Sequence, residues 1–127
     1  MTPHLDHTIV WSADRAASAR FLAEILDVGV GAPNGPFVPI ELGAGLTLDY
    51  ADADPAEIHP QHYAFRVDDA LFDAALERIV GRGIPYAADP FYTRLGAVYA
   101  GAGGDRGVYF RDPSGHSMEL LTTGQNG

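Results

Sequence analysis

The sequence predicts an α+β fold of two modules, each running strand, helix and then three strands (βαβββ). Two amphipathic helical patterns, each preceded by a short β-rich run, supply the mixed content. A hairpin signal closes each half, and an internal repeat carries one half onto the other. The chain, residues 1–127, is expected to be a single domain with modules at about residues 5–51 and 61–123.

His7 to Trp11 reads as the first strand, being rich in β-branched and aromatic residues. Ser12, Ala13 and Asp14 offer helix-start chemistry. Ala17, Phe21, Leu22, Ile25 and Leu26 then keep a helical period that Gly29 closes. Gly31 to Gly35 is a turn cluster. Phe37 to Leu42 and Leu46 to Tyr50 are strands joined through Gly43-Ala44-Gly45. Asp52 to Pro60 reads as a linker. The order then recurs. His62 to Val67 is a strand, and Asp68-Asp69 can cap a helix carrying Leu71, Phe72, Ala75, Leu76, Ile79 and Val80, which Gly81 and Gly83 end. Ile84 to Ala87 is a short strand. After an irregular stretch from Asp89 to Arg106, Val108 to Arg111 and His116 to Thr122 pair across Asp112-Pro113-Ser114-Gly115.

The repeat follows from two offsets. A shift of 55 carries His7 onto His62, Val10 onto Phe65, Asp14 onto Asp69 and Ile25 onto Val80. A shift of 70 carries Val38 onto Val108, Ile40 onto Phe110, Gly45 onto Gly115, Thr47 onto Ser117 and Asp49 onto Glu119. The change between shifts places an insertion in the Asp89–Arg106 stretch.

Composition narrows the chemistry. There is no cysteine, which removes disulfides, thiolate nucleophiles and cysteine zinc sites. All basic residues are arginine, so Schiff-base and P-loop lysine chemistry are excluded. A net charge of −9 without a basic stripe argues against nucleic acid as a partner. No apolar run is long enough for a membrane span, and no secretory signal is visible at the N-terminus, so the expected compartment is the cytoplasm. There is no nucleophile elbow, and the glycine-rich Gly101–Gly107 run does not match a dinucleotide-binding loop.

Four residues stand in repeat-related strand positions: His7, His62, Asp49 and Glu119. Two imidazoles with one or two carboxylates are the donor set of a divalent ion that keeps open positions. The plainer reading is two strand-end histidines and a surface carboxylate.

Three segments carry a resemblance: Asp6-His7-Thr8-Ile9, His62-Tyr63-Ala64-Phe65-Arg66-Val67, and the run from Gly107 to Leu120, which holds Phe110-Arg111-Asp112-Pro113-Ser114-Gly115-His116 ahead of Glu119. On these the chain resembles the vicinal oxygen chelate superfamily, which holds glyoxalase I, extradiol dioxygenases, fosfomycin-resistance thiol transferases and bleomycin-resistance proteins. The resemblance implies paired βαβββ modules forming an open cup-shaped barrel around a divalent metal ion (Fe, Zn, Ni or Mn), commonly in a homodimer. It implies His7, His62 and Glu119 as metal ligands, and places a fourth ligand of glyoxalase I at or near Asp49. Aspartate is shorter than the usual glutamate, so three protein ligands plus water fit better.

The resemblance also puts Tyr109 where the fosfomycin enzymes carry a tyrosine facing the metal. Tyr109, or Asp49 if it is not a ligand, is the candidate for proton transfer, with core packing the alternative for Tyr109. Ile9 and Trp11 suggest a neutral or aromatic substrate, Trp11 either stacking on it or packing in the core. His116, in the turn, is read as structural. The expected activity is that of a glyoxalase/dioxygenase-like enzyme, whose ion chelates two oxygens of a small substrate and stabilises an oxyanion or enolate. The alternative is a bleomycin-resistance-type protein that sequesters an antibiotic without catalysis. The Asp89–Arg106 insertion reads as a lid setting substrate choice, with Tyr92 and Tyr99 as contact area and Arg94 or Arg106 for an anionic group; the other reading is a dimer-contact strand.

Overall fold

The computed structural model describes residues 1–123. Residues 124–127 lie outside the described residues. The chain divides into two compact units, Met1–His59 and Pro60–Gly127.

In the first unit β1 (His7–Ser12) leads into helix α1 (Arg15–Leu26), followed by β2 (Phe37–Leu42) and β3 (Leu46–Asp52). The sheet order is β1-β3-β2, with β1 parallel and β2 antiparallel to β3. The helix supplies the crossover that a parallel pair needs. Alternation along the strands sends Val10, Val38, Ile40, Leu48 and Tyr50 into the core, where α1 contributes Ala19, Leu22, Ala23, Ile25 and Leu26. Asp14 caps the helix by accepting from the Ala17 N–H. The helix ends before Gly29: Asp27 takes the left-handed conformation at φ 56°, and the Val28 N–H returns to the Ala23 carbonyl. The third strand expected after this helix shrinks to one bridge, Val30 with Ile40.

In the second unit β4 (His62–Arg66) and α2 (Asp69–Gly81) precede β5 (Tyr86–Ala87), β6 (Tyr99–Ala100), β7 (Arg106–Arg111) and β8 (Ser117–Leu121). The order is β4-β8-β7-β5, with β6 also paired to β7. Phe72, Ala75 and Ile79 of α2 join Val108, Phe110, Met118 and Leu120 in the core. The Asp112–Gly115 turn forms as read, with Gly115 at φ 91° and the Gly115 N–H donating to the Asp112 carbonyl.

The strand repeat is present in the pairing itself. His7 faces Thr47 as His62 faces Ser117, and Val38 faces Tyr50 as Val108 faces Leu120. The bridge of Val30 to Ile40 likewise has its counterpart in Tyr86 paired with Phe110. The helices follow a different offset. The second cap is Asp68, not Asp69, and Val80 is 52% exposed while Ile25 is buried. One residue fewer separates strand from cap in the second unit, which rotates the helical correspondence. Among the described residues no helix is long and apolar enough to cross a membrane.

Candidate functional site

Residues paired across a sheet share a face, so register decides which side chains meet. In the second unit one row across the sheet reads Ala64, Glu119, Tyr109 and Ala87, and the next reads His62, Ser117 and Arg111. Their side chains lie on the face opposite the helix-packed core residues Met118 and Leu120. His62 Nε2 and Glu119 Oε1 are 2.9 Å apart, with the side chains 45% and 19% exposed, so the pair is reachable from outside. The Tyr109 ring sits 5.9 Å from the His62 ring, and its hydroxyl donates to Glu119. Burial, reinforced by the Glu119 charge, holds the Tyr109 phenol above its ordinary pKa, so the proton stays on Oη at neutral pH. Glu119 and Tyr109 form part of the wall of a cavity of about 370 Å3, which the insertion borders with Asp89, Pro90, Arg94 and Tyr99.

In the first unit His7, Ile9 and Trp11 share one face of β1, with Asp49 opposite Ile9 on β3. Trp11 is 48% exposed and Val10 beside it fully buried, so the indole lies outside the core. His7 Nδ1 donates to Asp6 Oδ2 at 2.8 Å, and that bond, with smaller help from the Asp6 and Asp49 charges, raises the histidine pKa. It also fixes Nε2 as the nitrogen whose lone pair is available, the orientation that carboxylate–histidine pairs give to metal ligands. Asp6 stood beside His7 in the sequence, but its role is visible only in this bond.

The insertion is built rather than irregular. Asp89 Oδ1 accepts from the Thr93 and Arg94 N–H groups, and Oδ2 accepts from the Thr93 hydroxyl at 2.7 Å. These bonds outweigh desolvation and hold the Asp89 carboxyl below its ordinary pKa. Tyr92 takes φ 57°, its hydroxyl meets the Ser117 hydroxyl at 2.9 Å, and the Arg111 guanidinium lies 3.7 Å over its ring. Tyr92 thus latches the insertion to β7 and β8 and lines a smaller depression with Tyr86 and Leu95 rather than the cavity of Glu119. Tyr99 lies opposite Gly107 on the cavity wall. Arg106 is bound to Asp69 at 2.9 Å and Asp73 at 2.6 Å over the Phe72 ring, so of the two arginines considered for an anion it is already paired. His116 is buried, with Nδ1 accepting from the Gln61 N–H at 2.9 Å, which is the structural role expected of it.

His62 and Glu119 are one donor pair of the types that a divalent ion takes. Ligand bonds of about 2.1 Å meeting at a right angle separate their donor atoms by about 3.0 Å. The 2.9 Å between His62 Nε2 and Glu119 Oε1 is such an edge, and binding would replace the proton this contact now shares. Among the described residues, no three His, Asp or Glu side chains are gathered as a ligand group.

The Glyoxalase/Bleomycin resistance protein/Dioxygenase superfamily matches the chain over residues 4–120. Among solved structures, Oxidase ChaP-H2 is 48% identical, with a TM-score of 0.91 over 96% of this chain and 94% of that one. Oxidase ChaP-H1 is 44% identical, with a TM-score of 0.91 over 99% and 100%. The fosfomycin resistance protein FosX from Mesorhizobium loti, at 23% identity and a TM-score of 0.72 over 99% of this chain and 97% of that one, shares the fold. No curated protein sequence matches the chain.

Proposed function

The chain belongs to the glyoxalase/bleomycin resistance protein/dioxygenase superfamily, and on that premise we propose that it is a metal-dependent oxidase of a small organic substrate presenting two neighbouring oxygens. The observation that carries this reading is the His62–Glu119 contact of 2.9 Å beside Tyr109. His7, His62 and Glu119 are the residues that would hold the ion. When bound, the ion supplies Lewis acidity toward the substrate oxygens, and iron would add the ability to engage dioxygen as electron acceptor. The two relatives at 48% and 44% identity are both named oxidases, which favours oxidation over isomerisation.

The chain's own residues supply the remainder. Tyr109 keeps its proton on Oη and can donate it to a substrate oxygen, giving up its bond to Glu119. Asp49, on the same sheet face as His7 and Ile9, is a carboxylate able to accept a proton. Tyr99 and Leu121 line the cavity and limit water around the ring system of a bound substrate. A protein that only sequesters its ligand has no use for the histidine–glutamate set, which favours the enzyme reading. With an iron-loaded sample and a panel of vicinal diphenols and hydroxyketones in an oxygen electrode, dioxygen uptake should depend on His62 and fall by about 100-fold in Tyr109→Phe. Saturable ligand binding without uptake, unchanged in His62→Ala, would establish sequestration instead.

A further inference from the structure

We propose that Arg94 is the anion-recognising residue of the cavity beside Glu119 and Tyr109, and that the ligand it selects is a planar aromatic compound bearing a carboxylate or an equivalent anionic oxygen group. This deepens the oxidase reading by naming the substrate class.

Charge accounting in the cavity wall carries the first step. Its charged residues are Asp89, Arg94, Asp105, Arg106 and Glu119. Asp89 is consumed by the N–H groups of Thr93 and Arg94 and the Thr93 hydroxyl. Arg106 is consumed by Asp69 and Asp73, and Glu119 faces His62. The Asp105 carboxylate packs on Gly101, in the space a Cβ there would fill. The Arg94 guanidinium has no carboxylate partner among the described residues. On a chain of net charge −9, a cavity-lining cation left without one is matched to an incoming anion.

The second step is preorganisation. Asp89 fixes the Arg94 N–H at 2.8 Å, and the Arg94 carbonyl accepts from the Ala88 N–H at 3.1 Å, so the backbone is held on both sides. Two residues earlier, Tyr92 is kept in a left-handed conformation, uncommon for a residue with a side chain, by Ser117 and Arg111. A fixed loop backbone presents the Arg94 side chain without a backbone ordering cost at binding. The third step is the shape of the wall. Tyr99, 46% exposed, together with Tyr109 and Leu121 offers flat apolar surface suited to an aromatic ring.

The test uses 6-hydroxy-2-naphthoate and 2-naphthol, which differ in the carboxylate alone and carry no oxygens on adjacent carbons; because a carboxylate can itself bind an ion, the ion-free comparison decides. Binding is measured by calorimetry on ion-free and ion-loaded protein. Wild type should favour the carboxylate by about tenfold to 100-fold, the range of a charge-assisted hydrogen-bonded pair. Arg94→Ala should remove that preference while leaving 2-naphthol within about twofold, and Arg94→Lys should restore part of it, which excludes simple misfolding. Equal affinities for the two probes in wild type, no saturable binding of the naphthoate, or a preference unmoved by Arg94→Ala overturns the assignment. Metal content is read on the same samples. Wild type that takes up no ion sinks the metal reading while the ion-free probe comparison still decides Arg94, and normal ion content with no carboxylate preference does the reverse.

Discussion

Asp112 shows how a single buried carboxyl acts in this fold. It sits in the turn between β7 and β8, where Oδ1 accepts from the Ser114 and His116 N–H groups and Oδ2 is buried without a hydrogen bond. Burial raises its pKa above the ordinary 3.8, against the lowering effect of its bonds and of His116. A raised folded value means that the unfolded chain releases the proton first. The stability tied to the neutral form is therefore complete below about pH 3.9 and is lost as pH rises through the folded value. Asp112→Asn keeps the acceptor and removes the charge, so its stability relative to wild type should rise with pH above that point, as urea unfolding of both proteins from pH 3 to 7 would show; a constant difference would contradict it. Strand positions at fixed offsets pointed to His7, His62, Asp49 and Glu119, and the family resemblance pointed to Tyr109. They could not choose between Arg94 and Arg106. That choice depends on Asp69 and Asp73, which approach β7 only once α2 has packed.

At the level of elements, strands were more legible than helix ends. Phe37–Leu42 forms where its alternation put it, since one face must meet α1. The end of α1 was displaced from Gly29 because Asp27 accepts a left-handed conformation that glycine usually supplies. An acidic side chain there also opposes the negative end of the helix dipole. Asp27→Gly should stabilise the protein by about 1 kcal/mol, read as a higher urea midpoint with an unchanged slope. A lower midpoint would show that the Asp27 side chain contributes more than its backbone costs. The insertion read as a loop because no periodic pattern spans it. Its order comes from side-chain-to-backbone bonds at Asp89 and from the Tyr92 latch, which leave no hydrophobic period. The same bonds argue for a fixed wall in place of the hinged lid that its glycines suggested.

For the whole molecule, the internal repeat places like residues at matching strand positions far apart in the sequence. Each unit offers a histidine on its first strand and a carboxylate on its last, at matching register, with Asp49 and Glu119 as the two carboxylates. The shorter aspartate is the point where the halves have diverged, and the Asp89–Arg106 insertion is the other. Strand offsets were readable because pairing preserves them, whereas the helix offset was obscured by one residue lost between strand and cap. We further propose that the chain associates as a homodimer, since the edge strands β1 and β4 and exposed Trp11, Phe91 and Leu95 offer surface for a second copy. Native mass spectrometry of untagged protein, dialysed exhaustively because an acidic chain attracts cations non-specifically, reads assembly and ion content together. The expected species is a two-chain particle with one divalent ion per chain, reduced to an ion-free particle of the same size in His62→Ala and in His7→Ala; a wild type and His62→Ala with equal ion content would contradict the metal assignment.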